Sequence, residues 1–171
     1  MLSNTHIPFN CCLSLPMLTP DIVASTRKSV LCWLATADAQ GLPNVSPKEI
    51  FAVFDDEHLV IANIASPQSA ANIAANPQVC VSLVDVFTQK GFKLTGTALN
   101  IAADAPAFAR WAAPVLEKAG PRFPVRSVFV VKVLSTARIV APSYWLHPQE
   151  TTEQKQTEAA HRAYGVRAPA D

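Results

Sequence analysis

The sequence predicts a mainly β fold with peripheral helices, in which six antiparallel strands form a small barrel. Short apolar segments alternate with turn-forming residues along most of the chain, and a long Val-rich segment at residues 125–140 completes the series. Three or four helices are expected around these strands. The 171 residues can bury one core without disulfides or a structural metal, so we expect a single folded barrel domain.

The first helix and the first strand are predicted near the N-terminus. Thr19 is a candidate N-cap, Pro20 suits the first helical position and Asp21 favours the helix dipole, so a helix should run to about Lys28. The next segment, residues 29–37, is apolar on both alternating faces. We therefore expect the barrel interior to cover one face, and a helix or a second subunit to cover the other.

The middle of the chain predicts strands on either side of a short helix. A long strand over residues 43–54 contains Pro47, which cannot donate to a ladder and so marks an edge, a bulge or a departure from pairing. The elements that follow are a strand at 59–63, a helix from Ser66 to Asn76, and strands at 78–86 and 92–101.

The C-terminal part predicts two more helices around the final strand. Residues 104–120 show helical spacing of apolar residues, and residues 147–164 are polar nearly all round, which indicates a surface helix. Aromatic residues should attach that surface helix, namely Tyr144, Trp145 and Tyr164. The expected organisation is a disordered or lightly docked N-terminal extension at 1–18, a barrel domain at 19–146, and a C-terminal surface helix and tail at 147–171.

Composition narrows the classes of partner. Half of the residues are hydrophobic and 16% are charged, which leaves more apolar surface than one small barrel can cover, so we expect a homodimer with an interface above about 2,000 Å². The 14 basic and 13 acidic residues argue against a nucleic-acid partner. No apolar run is long enough for a membrane span, and the first 18 residues lack a charged n-region, so a cytoplasmic location is expected. The sequence is compatible with a start at Met1 or at Met17.

The four cysteines do not predict a disulfide framework or a metal site. Cys11 and Cys12 are adjacent in the N-terminal extension, whereas Cys32 and Cys80 lie in apolar strands, where free Cys usually acts as a small hydrophobe. Both strand cysteines are therefore expected to be inert core thiols. No pair has the spacing of a zinc or redox site, and the four His residues are scattered, so no metal is predicted.

The start of the helix at Ser66 is a candidate anion site. It follows a buried strand directly, and the first turn of a helix presents unpaired N–H groups and the positive end of the helix dipole. The alternative is an ordinary capped helix start, with Ser66 and Pro67 in structural roles only. Ser69 adds a hydroxyl within this first turn, where a serine is mildly unfavourable unless its hydroxyl has a partner.

The order and spacing of several motifs resemble the FMN-binding split-barrel family, the group related to pyridoxamine 5'-phosphate oxidase. The resemblance covers about residues 19–140. The matching segments are Leu34-Ala35-Thr36 before Asp38 and Gly41, Pro43 to Lys48, Ile61-Ala62-Asn63 leading to Ser66, Ser69, Asn72 and Ile73, then Asn76-Pro77, and Phe92 to Ala98.

This resemblance implies a six-stranded split barrel and a homodimer with FMN held between the subunits. In the family, a basic residue and a Ser or Thr at the start of the short helix usually hold the phosphate. Here that basic position is occupied by Gln68, and Lys48, Lys90 or Arg126 would have to compensate. The implied cofactor-binding residues are Ser46, Pro47, Lys48, Asn63, Ile64, Ser66, Gln68, Ser69, Lys90 and Trp145.

Two functions of different classes follow from the resemblance. The first is an FMN-dependent oxidoreductase that acts on a small molecule, with a nicotinamide cofactor or the substrate itself reducing the flavin. The second is a non-enzymatic dimeric protein that uses the same cleft for flavin, another phosphorylated ligand or haem. The sequence shows no catalytic constellation of its own, so it identifies no catalytic residue. Gln68 is the feature that separates the two functions.

Overall fold

Seven strands and five helices make up the described part of the chain, residues 16–167, in this computed structural model. The strands are β1 (Cys32–Ala37), β2 (Pro43–Lys48), β3 (Phe51–Val53), β4 (His58–Asn63), β5 (Gln78–Asp85), β6 (Lys90–Ala102) and β7 (Ser127–Val140). The helices are α1 (Pro20–Lys28), α2 (Pro67–Ala75), α3 (Phe108–Ala119), α4 (Ser143–Leu146) and α5 (Glu153–Tyr164). None of these helices is long and apolar enough to cross a membrane.

All of the strands form one antiparallel sheet in the order β2-β1-β5-β6-β7-β4-β3. The prediction of six strands is wrong by one, because the segment 43–54 is divided. Its first part pairs with β1 at one edge of the sheet, and its second part pairs with β4 at the opposite edge. Only Glu49 and Ile50 connect the two parts, so the sheet must curl until its edges approach each other. The prediction of an antiparallel split barrel is confirmed.

The inner face of the curled sheet holds the main core. Apolar side chains from six strands and from both α1 and α2 meet in one buried cluster, which includes Ile22, Leu34, Phe51, Ile61, Ile73, Leu83, Leu94 and Phe129. Leu18 is buried in the same cluster, and Met17 packs against it. The rest of the predicted N-terminal extension, including Cys11 and Cys12, lies outside the described residues.

Helix α3 covers part of the outer face. Residues that alternate with the inner core on β3, β4 and β7 form a second cluster with α3, namely Ala52, Val60, Ala62, Val128 and Val130 with Ala112 and Val115. Burial of an apolar stripe on each side of these strands explains why they read as continuous apolar runs. The helix begins at Phe108, after the turn at residues 103–107, where the sequence predicted it to begin at about Asp104.

The other part of the outer face, on β1, β2 and β5, has no helix over it within residues 16–167. Pairing of Ala35 with both Val45 and Cys80 places these three side chains on that face, which we call the bare face. Trp33 and Val45 are 45% and 59% exposed there. The prediction that Cys80 is a core thiol is therefore wrong, because the alternation of the strand turns it away from the inner core and leaves it half-buried. Cys32 faces the inner core and is fully buried.

The predicted surface helix at 147–164 is replaced by the short helix α4 and the longer helix α5. The tyrosine anchors are confirmed: the Tyr144 hydroxyl donates to the Thr88 carbonyl over 2.8 Å, and the Tyr164 ring lies edge-on to Phe87. Trp145, the third predicted anchor, is instead 66% exposed. A Gly C-cap with left-handed backbone at Gly165 ends α5.

Gly96 marks a position where the sheet accepts no side chain. It lies at a β-bulge where β6 shifts register against β7, and a Cβ at this position would collide with the carbonyl group of Lys132. We expect Gly96→Ala to lower the free energy of unfolding by about 1–3 kcal/mol, since the neighbouring backbone must move. Urea unfolding measures this, with the exposed neighbour variant Thr95→Ala as control. Equal stability of the two variants would contradict the packing described here.

Candidate functional site

The site begins at the first turn of α2. Ser66 is the N-cap residue, but its side chain makes no capping hydrogen bond. Its backbone N–H donates instead to Asn63 Oδ1 over 3.1 Å, and Pro67 has no N–H to offer. The N–H groups of Gln68 and Ser69 therefore remain as the unpaired donors at the positive end of the helix.

Lys48 brings a positive charge to this helix start. It is the last residue of β2 and points to the inner face, where its side chain is only 6% exposed. Its Nζ donates to Ser66 Oγ and lies 5.8 Å from the centre of the Phe129 ring. Burial lowers the pKa of Lys48 below the ordinary lysine value, because the ammonium form loses hydration. An anion in the site would restore a favourable environment for that charge.

A polar network continues from the helix start along α2 and β2. Asn44 Nδ2 donates to Thr36 Oγ1 over 3.2 Å and to Ser69 Oγ over 3.4 Å, and Asn72 Nδ2 donates to the same Thr36 hydroxyl over 3.0 Å. Gln68 Nε2 donates to Asn72 Oδ1 over 2.8 Å, one turn along the helix. These bonds fix the orientation of α2 relative to β2.

Ser46 lies between Asn44 and Lys48 on the inner side of β2. Its hydroxyl is buried and has no hydrogen-bond partner among the described residues, a state shared there only with Ser29. A buried hydroxyl without a partner loses about 1–3 kcal/mol of hydration. Ser46 therefore has an unused hydrogen-bonding group next to the charge of Lys48.

A cavity of about 350 Å³ opens beside Lys48 and Ser66. Its polar end holds the ammonium group and the helix start, and the rest of its wall is mostly apolar, with the exposed carboxylate of Glu49 at the rim. The wall consists of Leu31, Pro47, Ile50, Ala62, Ile64, Ala65 and Phe123. One anion-binding end and an apolar remainder fit an amphipathic phosphorylated ligand such as FMN.

The structure brings together most of the residues predicted for the site. Pro47, Lys48, Ile64 and Ser66 line the cavity, and Ser46, Asn63, Gln68 and Ser69 adjoin it through β2, β4 and α2. Gln68 is exposed and bonded to Asn72, so it adds no charge. Within residues 16–167, no group of three or more His, Cys, Asp or Glu side chains is arranged to hold a metal ion.

Two predicted residues, Lys90 and Trp145, do not reach this cavity within one chain. Lys90 Nζ pairs with Glu153 over 2.8 Å and lies 4.3 Å from the centre of the Tyr144 ring. Lys90 lines a separate cavity beside α1, and Trp145 lies in α4. Their prediction as cofactor ligands stays open, since a second subunit could bring them to the site.

Sequence reasoning did not include three members of the network, Thr36, Asn44 and Asn72, among the site residues. One signal was available. Asn44, Ser46 and Lys48 alternate along one side of β2, and polar residues at every second position of a strand beside a core predict a polar lining there. For Asn72, only the packing of α2 against β1 shows that the amide is buried with Thr36.

Known structures share this fold. HupZ of Group A Streptococcus is 25% identical, with a TM-score of 0.60 over 70% of this chain and 92% of that chain. A protein of Lactobacillus delbrueckii, described as a candidate pyridoxamine 5'-phosphate oxidase, is 25% identical, with a TM-score of 0.60 over 73% and 97%. The haem storage protein HutZ of Vibrio cholerae is 24% identical, with a TM-score of 0.57 over 72% and 94%.

Sequence comparison agrees with the fold. The chain has no significant match among curated proteins. The family model for pyridoxamine 5'-phosphate oxidase matches residues 18–138, which is more than half of the chain and includes every residue that lines the cavity beside Lys48. The chain therefore belongs to the pyridoxamine 5'-phosphate oxidase family of split-barrel proteins.

Proposed function

We propose that this protein binds FMN at the start of α2 and acts as a flavin-dependent oxidoreductase on a small molecule. The observation that carries the proposal is the buried ammonium group of Lys48 against Ser66, at the positive end of a helix. A phosphate placed there would receive N–H donors, a hydroxyl and a full positive charge together. Family membership makes FMN the phosphorylated ligand to test first.

The residues of the chain would then bind and orient the cofactor. Lys48, Ser66 and the N–H groups of Gln68 and Ser69 would hold the phosphate. Leu31, Ile50 and Ile64 would shield the ring from water. Bound FMN supplies reversible electron and hydride transfer, so no nucleophile or acid–base pair is required of the protein. The electron donor is a nicotinamide cofactor or the substrate.

We also propose that the protein is a homodimer that associates through the bare face. This face exposes Trp33 and Val45 beside small side chains, Ala35, Cys80 and Ser82, which allow close approach of a second sheet. The equivalent area on β3, β4 and β7 is already covered by α3. A second copy would cover the bare face, as α3 covers the outer side of β3, β4 and β7.

A second candidate is a binding protein that uses the same cavity without catalysis. Gln68 favours it, because the basic residue usual at this position is replaced by an amide bonded within the helix. Haem is the weaker ligand for such a role, since no histidine lines the cavity in the described part of the chain. Bleaching of the visible flavin band by a nicotinamide donor would support the enzyme, and its absence with tight FMN binding would support the second candidate.

The first prediction concerns the charge at the phosphate. We expect Lys48→Ala to weaken FMN binding roughly ten- to a hundredfold, since a charge-assisted contact is lost, and Gln68→Arg to tighten it by a similar factor. Titration followed by flavin fluorescence measures both. The lysine variant should lose more affinity at low salt than at high salt.

Lys155→Ala is the matched control, because Lys155 is exposed on α5 and lines neither cavity described here. It should leave FMN affinity unchanged. Unchanged affinity in both the Lys48 and the Gln68 variants would place the phosphate elsewhere and would contradict the proposed site.

The second prediction concerns pH. The ammonium form of Lys48 is needed for the phosphate, and burial lowers the pKa of this group below 10.5 in the free protein. FMN affinity should therefore fall as the pH rises through the alkaline range, and the fall should begin at a lower pH than it would for an ordinary lysine. Lys48→Arg should keep its affinity over this range, because a guanidinium stays charged. Parallel pH profiles of the two proteins would contradict the role of Lys48.

The third prediction concerns association. Light scattering should show about twice the chain mass of 18.4 kDa, and Val45→Arg should give the monomer because a charge enters the bare face. Leu116→Arg, on the exposed side of α3, should remain dimeric.

Thiol labelling gives a second readout of association, in a background with Cys11→Ser and Cys12→Ser. Cys80 should be labelled slowly in the dimer and faster in the Val45→Arg monomer. Cys32 should stay unlabelled in both, because burial raises its pKa to about 12. A wild-type protein that scatters as a monomer would contradict the proposed dimer.

A further inference from the structure

We propose that a second cavity, separate within one chain from the cavity beside Lys48, binds a small aromatic carboxylate. This cavity has a volume of about 460 Å³, within the range of small-molecule sites, and shares no lining residue with the cavity beside Lys48. It lies between α1, the turn from β5 to β6, the end of β7, and the helices α4 and α5. The proposal does not depend on the binding of FMN.

Two aromatic rings lie in the wall of this cavity, Phe92 and Tyr144, with Ala24, Ile139 and Val140 as further apolar lining. Tyr144 is held in place from both sides: its hydroxyl donates to the Thr88 carbonyl over 2.8 Å, and Lys90 Nζ lies over its ring. A ring that is already fixed loses little conformational entropy when a planar ligand packs against it. The wall therefore favours an aromatic ligand.

The charges of the cavity favour an anion. Its carboxylates are all engaged: Glu153 with Lys90, Asp21 with Arg138 over 3.0 Å, and Asp85 with N–H and hydroxyl donors of its own turn. The remaining charged lining residue, Lys28, has no carboxylate within 4.0 Å of its ammonium group among residues 16–167. One cation is thus left for a ligand carboxylate to contact.

The position of Lys28 supports the same ligand class. It is the last residue of α1, and it lines the same cavity as the ion pair of Lys90 with Glu153. A carboxylate near Lys28 would leave the attached ring to occupy the apolar wall formed by Phe92 and Tyr144. For a cationic ligand, two of the three lining carboxylates, Asp21 and Glu153, are already in ion pairs.

The experiment uses the full-length protein, labelled with ¹⁵N, and two probes of equal shape. Naphthalene-2-carboxylate and its neutral carboxamide are titrated separately, and amide resonances are followed by two-dimensional NMR. We expect the carboxylate to shift resonances of Ser25, Gly91 and Val140 and to bind at least about tenfold more tightly than the carboxamide.

Two lysine variants test whether Lys28 contacts the ligand carboxylate. Lys28→Gln should weaken the carboxylate about tenfold without affecting the carboxamide, and the exposed lysine variant Lys155→Gln should change neither. Equal affinity of the two probes, equal effects of the two lysine variants, shifts centred on Ser66 and Lys48, or no shift at all up to about 10 mM would each overturn the proposal. FMN affinity, measured separately, shows whether the flavin site has failed independently.

Discussion

The rest of the structure depends on the passage of one chain segment from one edge of the sheet to the other. β2 ends at Lys48 against β1, and β3 begins at Phe51 against β4, so Glu49 and Ile50 alone span the opening of the barrel. The Ile50 carbonyl accepts from the Ala62 N–H over 2.9 Å. The chain is therefore already bonded to β4 two residues after it leaves β2. Closure brings Lys48 to the start of α2, which follows β4 directly. The candidate site is therefore a product of sheet closure.

The burial of Lys48 is unfavourable for folding on its own. Its ammonium group loses hydration and receives in return one serine hydroxyl and the face of one aromatic ring. A hydrogen bond to a charged group contributes about 1.5–3 kcal/mol, and the cost of burying an ion is several kcal/mol. The unpaired hydroxyl of Ser46 beside it adds to that cost. A bound anion would offset the cost of burying Lys48, which is why a ligand explains the position of this residue better than stability does.

The sequence was sufficient for the fold because most strands carry apolar residues at every second position and end at Gly, Pro, Asn or Asp. It was also sufficient to predict the start of α2, since Ser66-Pro67 directly after an apolar strand is a local sequence signal for the start of a helix. The sequence was not sufficient where the end of a strand or the direction of a side chain depends on pairing with residues that are distant in sequence. The break after Lys48 depends on pairing with β4, and the outward turn of Cys80 depends on its register with Ala35. Lys90 is charged and near a turn, but only the fold shows that it pairs with Glu153.

Adjacent residues of β2 point to opposite faces of the sheet, which links the proposed ligand to the proposed partner. Asn44, Ser46 and Lys48 lie on the side of β2 that faces α2, whereas Val45 alternates with them and faces outward. β2 is an edge strand that pairs only with β1, so its position is held from one side. A second subunit packed on Val45 would restrict the same backbone that carries Lys48. Association should therefore organise the phosphate site without the partner touching the phosphate, and the monomer should hold that site less firmly than the dimer.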